Sequence, residues 1–139
     1  MYKRILLAVD GSENSMRAAA EAAKVAAMNA GSVVKVVYVA DFSKSKNDML
    51  HAQGKEELEL SRRKKLQPVE EIISQKNVDY EVKILHGHPG QTIVDYAKEE
   101  KVDVIVIGSR GLNAFQELML GSVSQLVVKK AACPVLIVK

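Results

Sequence analysis

The sequence predicts one α/β domain, a five-stranded parallel sheet covered by helices on both faces. Three observations carry this expectation. The 139 residues suit one compact domain, residues 1–139, and leave no room for a second. Short apolar segments alternate with helix-period segments along the whole chain, the signature of successive βα units. Two of those segments, residues 5–9 and 104–107, are unbroken apolar runs, as in strands buried on both faces.

The first strand, residues 5–9, ends at Asp10-Gly11-Ser12. Residues 15–30 place Met16, Ala19, Ala20, Ala23, Ala26, Ala27 and Ala30 on one helical stripe, and Gly31 supplies a stop. The alanines let that helix lie close to a sheet. The second strand is residues 33–39. Residues 40–56 are polar and irregular, and their first half reads as a mobile loop containing a solvated His51. The second helix turns Leu58, Arg62, Leu66, Val69 and Ile72 or Ile73 inward. Pro68 lies inside it, at a cost of about 3 kcal/mol in an unbroken helix, so a kink or break is expected just before it.

Residues 80–85 alternate, with Tyr80, Val82 and Ile84 on one side and Glu81, Lys83 and Leu85 on the other, as in a strand with one wetter face at a sheet edge. A turn at residues 86–90 leads into a third helix that buries Ile93, Tyr96 and Ala97. The central strand at 104–107 follows, then a helix from about Gly121 to Ala131 and a last strand at 134–138. In the doubly wound order 3-2-1-4-5, strands one and four lie side by side, and ligands bind beyond their carboxyl ends, where the winding reverses. Asp10-Gly11-Ser12 and Gly108-Ser109-Arg110-Gly111 are expected to face each other there.

Composition excludes several function classes. Net charge is only +3, and the basic run at residues 62–65 is flanked by glutamates, as on a solvated helix face. The chain has no Trp and two Phe, so it lacks the stacking groups of a nucleic-acid binder. The single Cys133 has no partner for an internal disulfide and reads as a small hydrophobe before a strand. The N-terminal segment has no signal core, and no apolar run approaches the ~18–20 residues that span a bilayer. A cytoplasmic protein without a membrane partner is expected.

The segment from Gly108 to Leu120 is the chemical signal. Strand-to-helix connections usually take about 2–6 residues, and this one takes thirteen. Gly108 and Gly111 let the backbone approach a ligand closely. The helix opening at Gly121-Ser122-Val123-Ser124 offers free N–H groups and the positive end of its dipole to an anion, with the Ser122 and Ser124 hydroxyls as further donors. The pattern is neither the P-loop nor the dinucleotide fingerprint.

Glycine, two residues, glycine, nine residues, glycine and serine, as in Gly108, Gly111, Gly121 and Ser122, resembles the ATP-binding branch of the universal stress protein family. The opening residues 5–12 and closing residues 133–138 resemble that family's ends. The resemblance implies an adenine nucleotide α-hydrolase-like fold and a nucleotide-sensing regulatory or stress-response module. In position terms it implies Asp10 at the adenine or ribose end and Val39 presenting backbone to adenine. Gly108 and Gly111 would pack against ribose and phosphates. Gly121, Ser122 and Val123 would hold the triphosphate, with Mg2+ or Mn2+ carried on the phosphates and Arg110 reaching a phosphate. Gln116 and Glu117 stand where relatives are often basic.

Other chemistries fit less well. A phosphoacceptor Asp10 would need acidic neighbours beside strand one, and residues 4–9 hold none. His86 and His88 read as polar turn residues, with His88 able to approach a phosphate. Ser12 lacks a nucleophile elbow. No residue stands out to orient water for hydrolysis, so binding is favoured over slow ATP hydrolysis. A non-binding interaction dimer is the other alternative. The apolar Val135–Val138 strand carries no protective charge before Lys139, which predicts, as the resemblance also implies, a homodimer joined through it.

Overall fold

A computed structural model of the chain describes residues 2–40, 55–110 and 121–139. The polar segment 41–54 with His51, the side chain of Leu58, and residues 111–120, including Gly111, Gln116 and Glu117, lie outside the described residues. The elements are β1 (Arg4–Val9), α1 (Glu13–Ala27), β2 (Val33–Ala40), α2 (Lys55–Ser74), β3 (Asp79–His86), α3 (Pro89–Glu99), β4 (Val104–Gly108), α4 (Ser122–Lys130) and β5 (Val135–Val138). The five strands form one parallel sheet in the order β3-β2-β1-β4-β5, as expected.

Alternation along β1 sends side chains to two cores. Ile5 and Leu7 join Ala18, Ala22, Val34, Leu66 and Ile73 beneath α1 and α2. Leu6 and Ala8 join Val37, Ile93, Ala97, Ile105 and Val127 beneath α3 and α4. Each fully buried Leu, Ile or Val contributes roughly 1.5–3 kcal/mol of apolar burial. Sheet order and helix placement thus put two layers on the sheet, one on each face.

The stripe expected for α1 is corrected. Ser15, Ala18, Ala19, Ala22, Ala23 and Ala26 are buried, whereas Ala27 and Ala30 are exposed and Met16 and Ala20 half-buried. The helix begins earlier than expected because Ser12 caps it, its Oγ accepting from the Ser15 amide. Alanines at 18, 19, 20, 22, 23, 26 and 27 leave the phase of the helix open, since shifting the stripe by one position loses little apolar surface. The break expected at Pro68 is absent too, as α2 runs through it. The carbonyl deprived of an N–H partner belongs to Lys64, an exposed residue, where water can take the bond. The inward set Arg62, Leu66, Val69 and Ile73 is buried as the pattern predicts.

The two edges of the sheet differ in character. β3 alternates, with Tyr80, Val82 and Ile84 against the first core and Glu81 and Lys83 exposed. Glu81 pairs across the strand with Lys35, Nζ to Oε2 2.8 Å, which holds its carboxyl below the ordinary range. On β5, by contrast, the exposed residue is Leu136. At the amino end of the sheet, Asp103 Oδ2 accepts from the amides of Lys3 and Arg4, both at 2.9 Å. The Arg4 amide is the largest reason that this carboxyl sits below its usual range. Cys133 packs half-buried against the second core, and burial pushes its thiol up. Among the described residues no helix is long and apolar enough to cross a membrane.

Candidate functional site

The carboxyl ends of the strands are staggered around β1. Pairing of β1 with β2 ends at Val9↔Tyr38, whereas β2 and β3 stay paired to Ala40↔His86. On the other side, pairing of β1 with β4 ends at Ala8↔Ile107, whereas β4 and β5 continue to Gly108↔Val138. The winding also reverses between β1 and β4, the place where open α/β sheets accept ligands. Val39, Gly108 and Asp10 all lie at this carboxyl end of the sheet.

The hydrogen bonds around Asp10 close a circuit. Asp10 Oδ1 accepts from the Ser12 amide at 2.9 Å and from Ser15 Oγ at 2.7 Å, and Ser15 Oγ accepts from the Asp10 amide at 2.8 Å. Gly11 makes the turn at φ +86°, a conformation that costs a side-chain-bearing residue roughly 1–2 kcal/mol. Asp10 is therefore a fixed carboxylate, oriented by its own turn and the first turn of α1.

The long connection is gathered at a neck. The Gly121 amide donates to the Ser109 carbonyl at 2.7 Å, joining the two ends of the excursion. Ser124 Oγ donates toward the same carbonyl at 3.1 Å and toward the Gly121 carbonyl at 3.0 Å, and the Ser109 amide donates to Val138 O at 2.8 Å. Ser124 is 2% exposed, so its hydroxyl is turned into the protein as part of the neck. Ser122 is exposed at the helix start.

Two features of the neck suit an anion. Gly121 is the N-cap of α4 and provides no capping side chain. Its own amide is used by Ser109, but the Ser122 and Val123 amides that follow have no acceptor among the described residues. A helix start of this kind carries partial positive charge. Next to Ser109, the Nε of Arg110 is buried and has no hydrogen-bond partner among the described residues. A buried cationic donor left unpaired costs more than a kcal/mol, which a bound anion would offset. Phosphate oxygens fit that donor set. Among the described residues no group of three or more His, Cys, Asp or Glu could hold a metal ion.

Gly108 has a different reason for its bareness than ligand approach. A Cβ there would lie 2.8 Å from Asn14 Cβ and 3.2 Å from the backbone C and O of Asn14. The residue is glycine because α1 passes against it. Of the histidines, His86 lies beside Arg62, its Nε2 3.1 Å from Nη1. A guanidinium only donates, so Nε2 accepts and the ring proton sits on Nδ1. His88 is exposed as the N-cap of α3.

Sequence reasoning did not single out Asn14, Ser15 or Arg17. Ser12 three residues before Ser15 is a legible cap spacing, and it could have marked Ser15. Asn14 and Arg17 leave no local signal, because Asn14 works through residue 110, far along the chain.

These features define a doubly wound α/β domain whose switch point lies between β1 and β4. The universal stress protein family model matches residues 1–139, and the chain belongs to that family. A universal stress protein of Thermus aquaticus is 40% identical over 141 residues, covering all of both chains. The solved hypothetical protein MJ0577 superposes with a TM-score of 0.86 at 31% identity, covering 100% of this chain and 96% of that one. The universal stress protein of Archaeoglobus fulgidus, solved in complex with dAMP, gives a TM-score of 0.75 at 28% identity, covering 99% and 98%.

Proposed function

We propose that this protein is a cytoplasmic ATP-binding regulatory module, holding nucleotide as a signal and not consuming it rapidly. The observation that carries the reading is an α4 start without a capping side chain, in a chain whose Arg110 Nε is buried and has no partner among the described residues. The dAMP complex of the Archaeoglobus fulgidus relative supports an adenine nucleotide as the ligand.

In this reading the Ser122 and Val123 amides and the Ser122 hydroxyl hold the phosphate chain, and Arg110 neutralises it. Gly111 lies in the same loop, outside the described residues, and its role rests on the motif. Gly121 keeps the approach open, while Ser124 positions the neck. Val39 faces the adenine and Asp10 the adenine or ribose end. Mg2+ or Mn2+, when bound with ATP, supplies charge neutralisation on the phosphates.

The test is the nucleotide released by acid from purified protein, followed by calorimetric titration with ATP and adenosine. Ser122→Ala should weaken ATP roughly tenfold or more, the worth of a hydrogen bond to a charged group at about 1.5–3 kcal/mol. Gly121→Val should abolish binding, because a branched side chain would stand where a phosphate must sit. Unchanged ATP affinity in both variants refutes the site. Phosphate release measured over hours separates holding from slow hydrolysis.

The β5 edge supports a homodimer through Val135–Val138. Its exposed residue is the apolar Leu136, where β3 exposes Asp79, Glu81 and Lys83. Charged residues protect an edge from pairing, and β5 lacks them. Sedimentation should give a dimer, and a monomer at high micromolar concentration would defeat this.

A further inference from the structure

Asn14 is 7% exposed in the second position of α1, an expensive place for an amide unless both of its ends are bonded. Both are. Nδ2 donates to the Arg110 carbonyl at 2.8 Å, and Oδ1 accepts from Arg17 Nη2. Arg17 is itself anchored, its Nε donating to Lys139 O at 2.9 Å. The Asn14 Cβ and backbone fill the space that a Gly108 side chain would take. One residue of α1 therefore touches the strand end at 108 and the main chain at 110.

Its neighbour Ser109 is already held by β5 through Val138 O and by α4 through Gly121 and Ser124. Those bonds fix the neck, but they stop one residue short of Arg110, whose guanidinium the nucleotide-binding reading assigns to the phosphates. The carbonyl of residue 110 is tied to Asn14, which holds the main chain from which the Arg110 side chain projects. We infer that Asn14 is a positioning residue for phosphate recognition, acting through the main chain of Arg110. The inference rests on the nucleotide-binding reading above and deepens it. An apolar residue of the same size would pack against Gly108 equally well and would leave the Arg110 carbonyl unheld.

The test uses full-length protein with ATP and adenosine as the two probes, titrated against wild type, Asn14→Asp and Asn14→Ala. Asn14→Asp keeps the acceptor for Arg17 and turns the donor into an acceptor facing a carbonyl. Asn14→Ala removes the donor without adding charge and keeps the Cβ against Gly108. Both variants should weaken ATP about tenfold and adenosine less than about twofold, with Asn14→Ala melting a few degrees below wild type and Asn14→Asp lower still. In an Arg110→Met background the change from Asn14 to Ala should have little further effect on ATP.

Equal weakening of ATP and adenosine would show a merely structural residue and overturn the inference. So would an effect confined to Asn14→Asp, which would be charge alone, or full additivity with Arg110→Met. If Asn14→Asp does not fold, Asn14→Ala decides by the same criteria. Wild-type protein that binds neither probe takes down the nucleotide reading and this inference together. Wild-type binding with Asn14→Ala unchanged takes down this inference only.

Discussion

Replacing Gly108 with alanine separates two explanations for a glycine in a ligand-binding loop. Built on the backbone, the new methyl lies 2.8 Å from Asn14 Cβ and 3.2 Å from two backbone atoms of the same residue. Carbon atoms rest at about 3.5–4.0 Å, so the overlap is several tenths of an ångström against each neighbour. The obstructing atoms cannot rotate away, because two are main chain in the first turn of α1. That turn is locked by Ser12, Ser15 and Asp10. Relief requires α1 or the end of β4 to move, and overpacking of this sort costs typically about 1–3 kcal/mol. For a domain of this size, each kcal/mol lowers the melting temperature by roughly 3–5 °C, so Gly108→Ala should melt about 3–15 °C below wild type. Circular dichroism melts of nucleotide-free protein measure this, since bound ligand would itself raise the transition. A glycine needed only for ligand approach would leave the melt unchanged and reduce ATP affinity alone. A melting temperature within about 1 °C of wild type refutes the packing explanation.

Two further substitutions probe the framework around the site. A Cβ on Gly90 would overlap Leu126 Cδ2 and lie 3.1 and 3.2 Å from its Cβ and Cγ, so Gly90→Ala should cost about 1–3 kcal/mol by separating α3 from α4. Adding Leu126→Ala should recover part of that loss in urea denaturation, and strict additivity would show that the two residues do not clash. Asp103→Asn removes the charge that accepts from the Lys3 and Arg4 amides. Because the folded-state carboxyl is held below 3.8, its contribution is present above that pH and fades as pH falls through the lower folded value. The variant should be less stable than wild type at pH 7 by under about 1 kcal/mol, these bonds being solvent-screened, and the gap should close in acid. A gap that widens on acidification contradicts the assignment.

Much of the fold was legible because strand and helix periods are local properties. The unbroken runs at 5–9 and 104–107 announced central strands, and alternation at 80–85 announced an edge. Arg62, Leu66, Val69 and Ile73 were found by helical spacing alone. The phase of α1 was not, since alanines on nearly every face give the stripe no contrast. Pro68 misled because its cost depends on whether the orphaned carbonyl reaches water, a property of the folded surface.

The candidate site divides the same way. Glycine and serine spacing by itself marked Gly108, Gly111, Gly121 and Ser122 as a loop opening onto a helix, because backbone freedom and capping are written in residue type. The roles inside the loop came only from three-dimensional contact. Gly108 answers to Asn14, Ser124 turns inward to Ser109, and the Arg110 carbonyl is held from a helix 96 residues earlier. Such pairings depend on which strands become neighbours. That choice is made by the hydrophobic faces of the whole chain at once, and no window of sequence contains it.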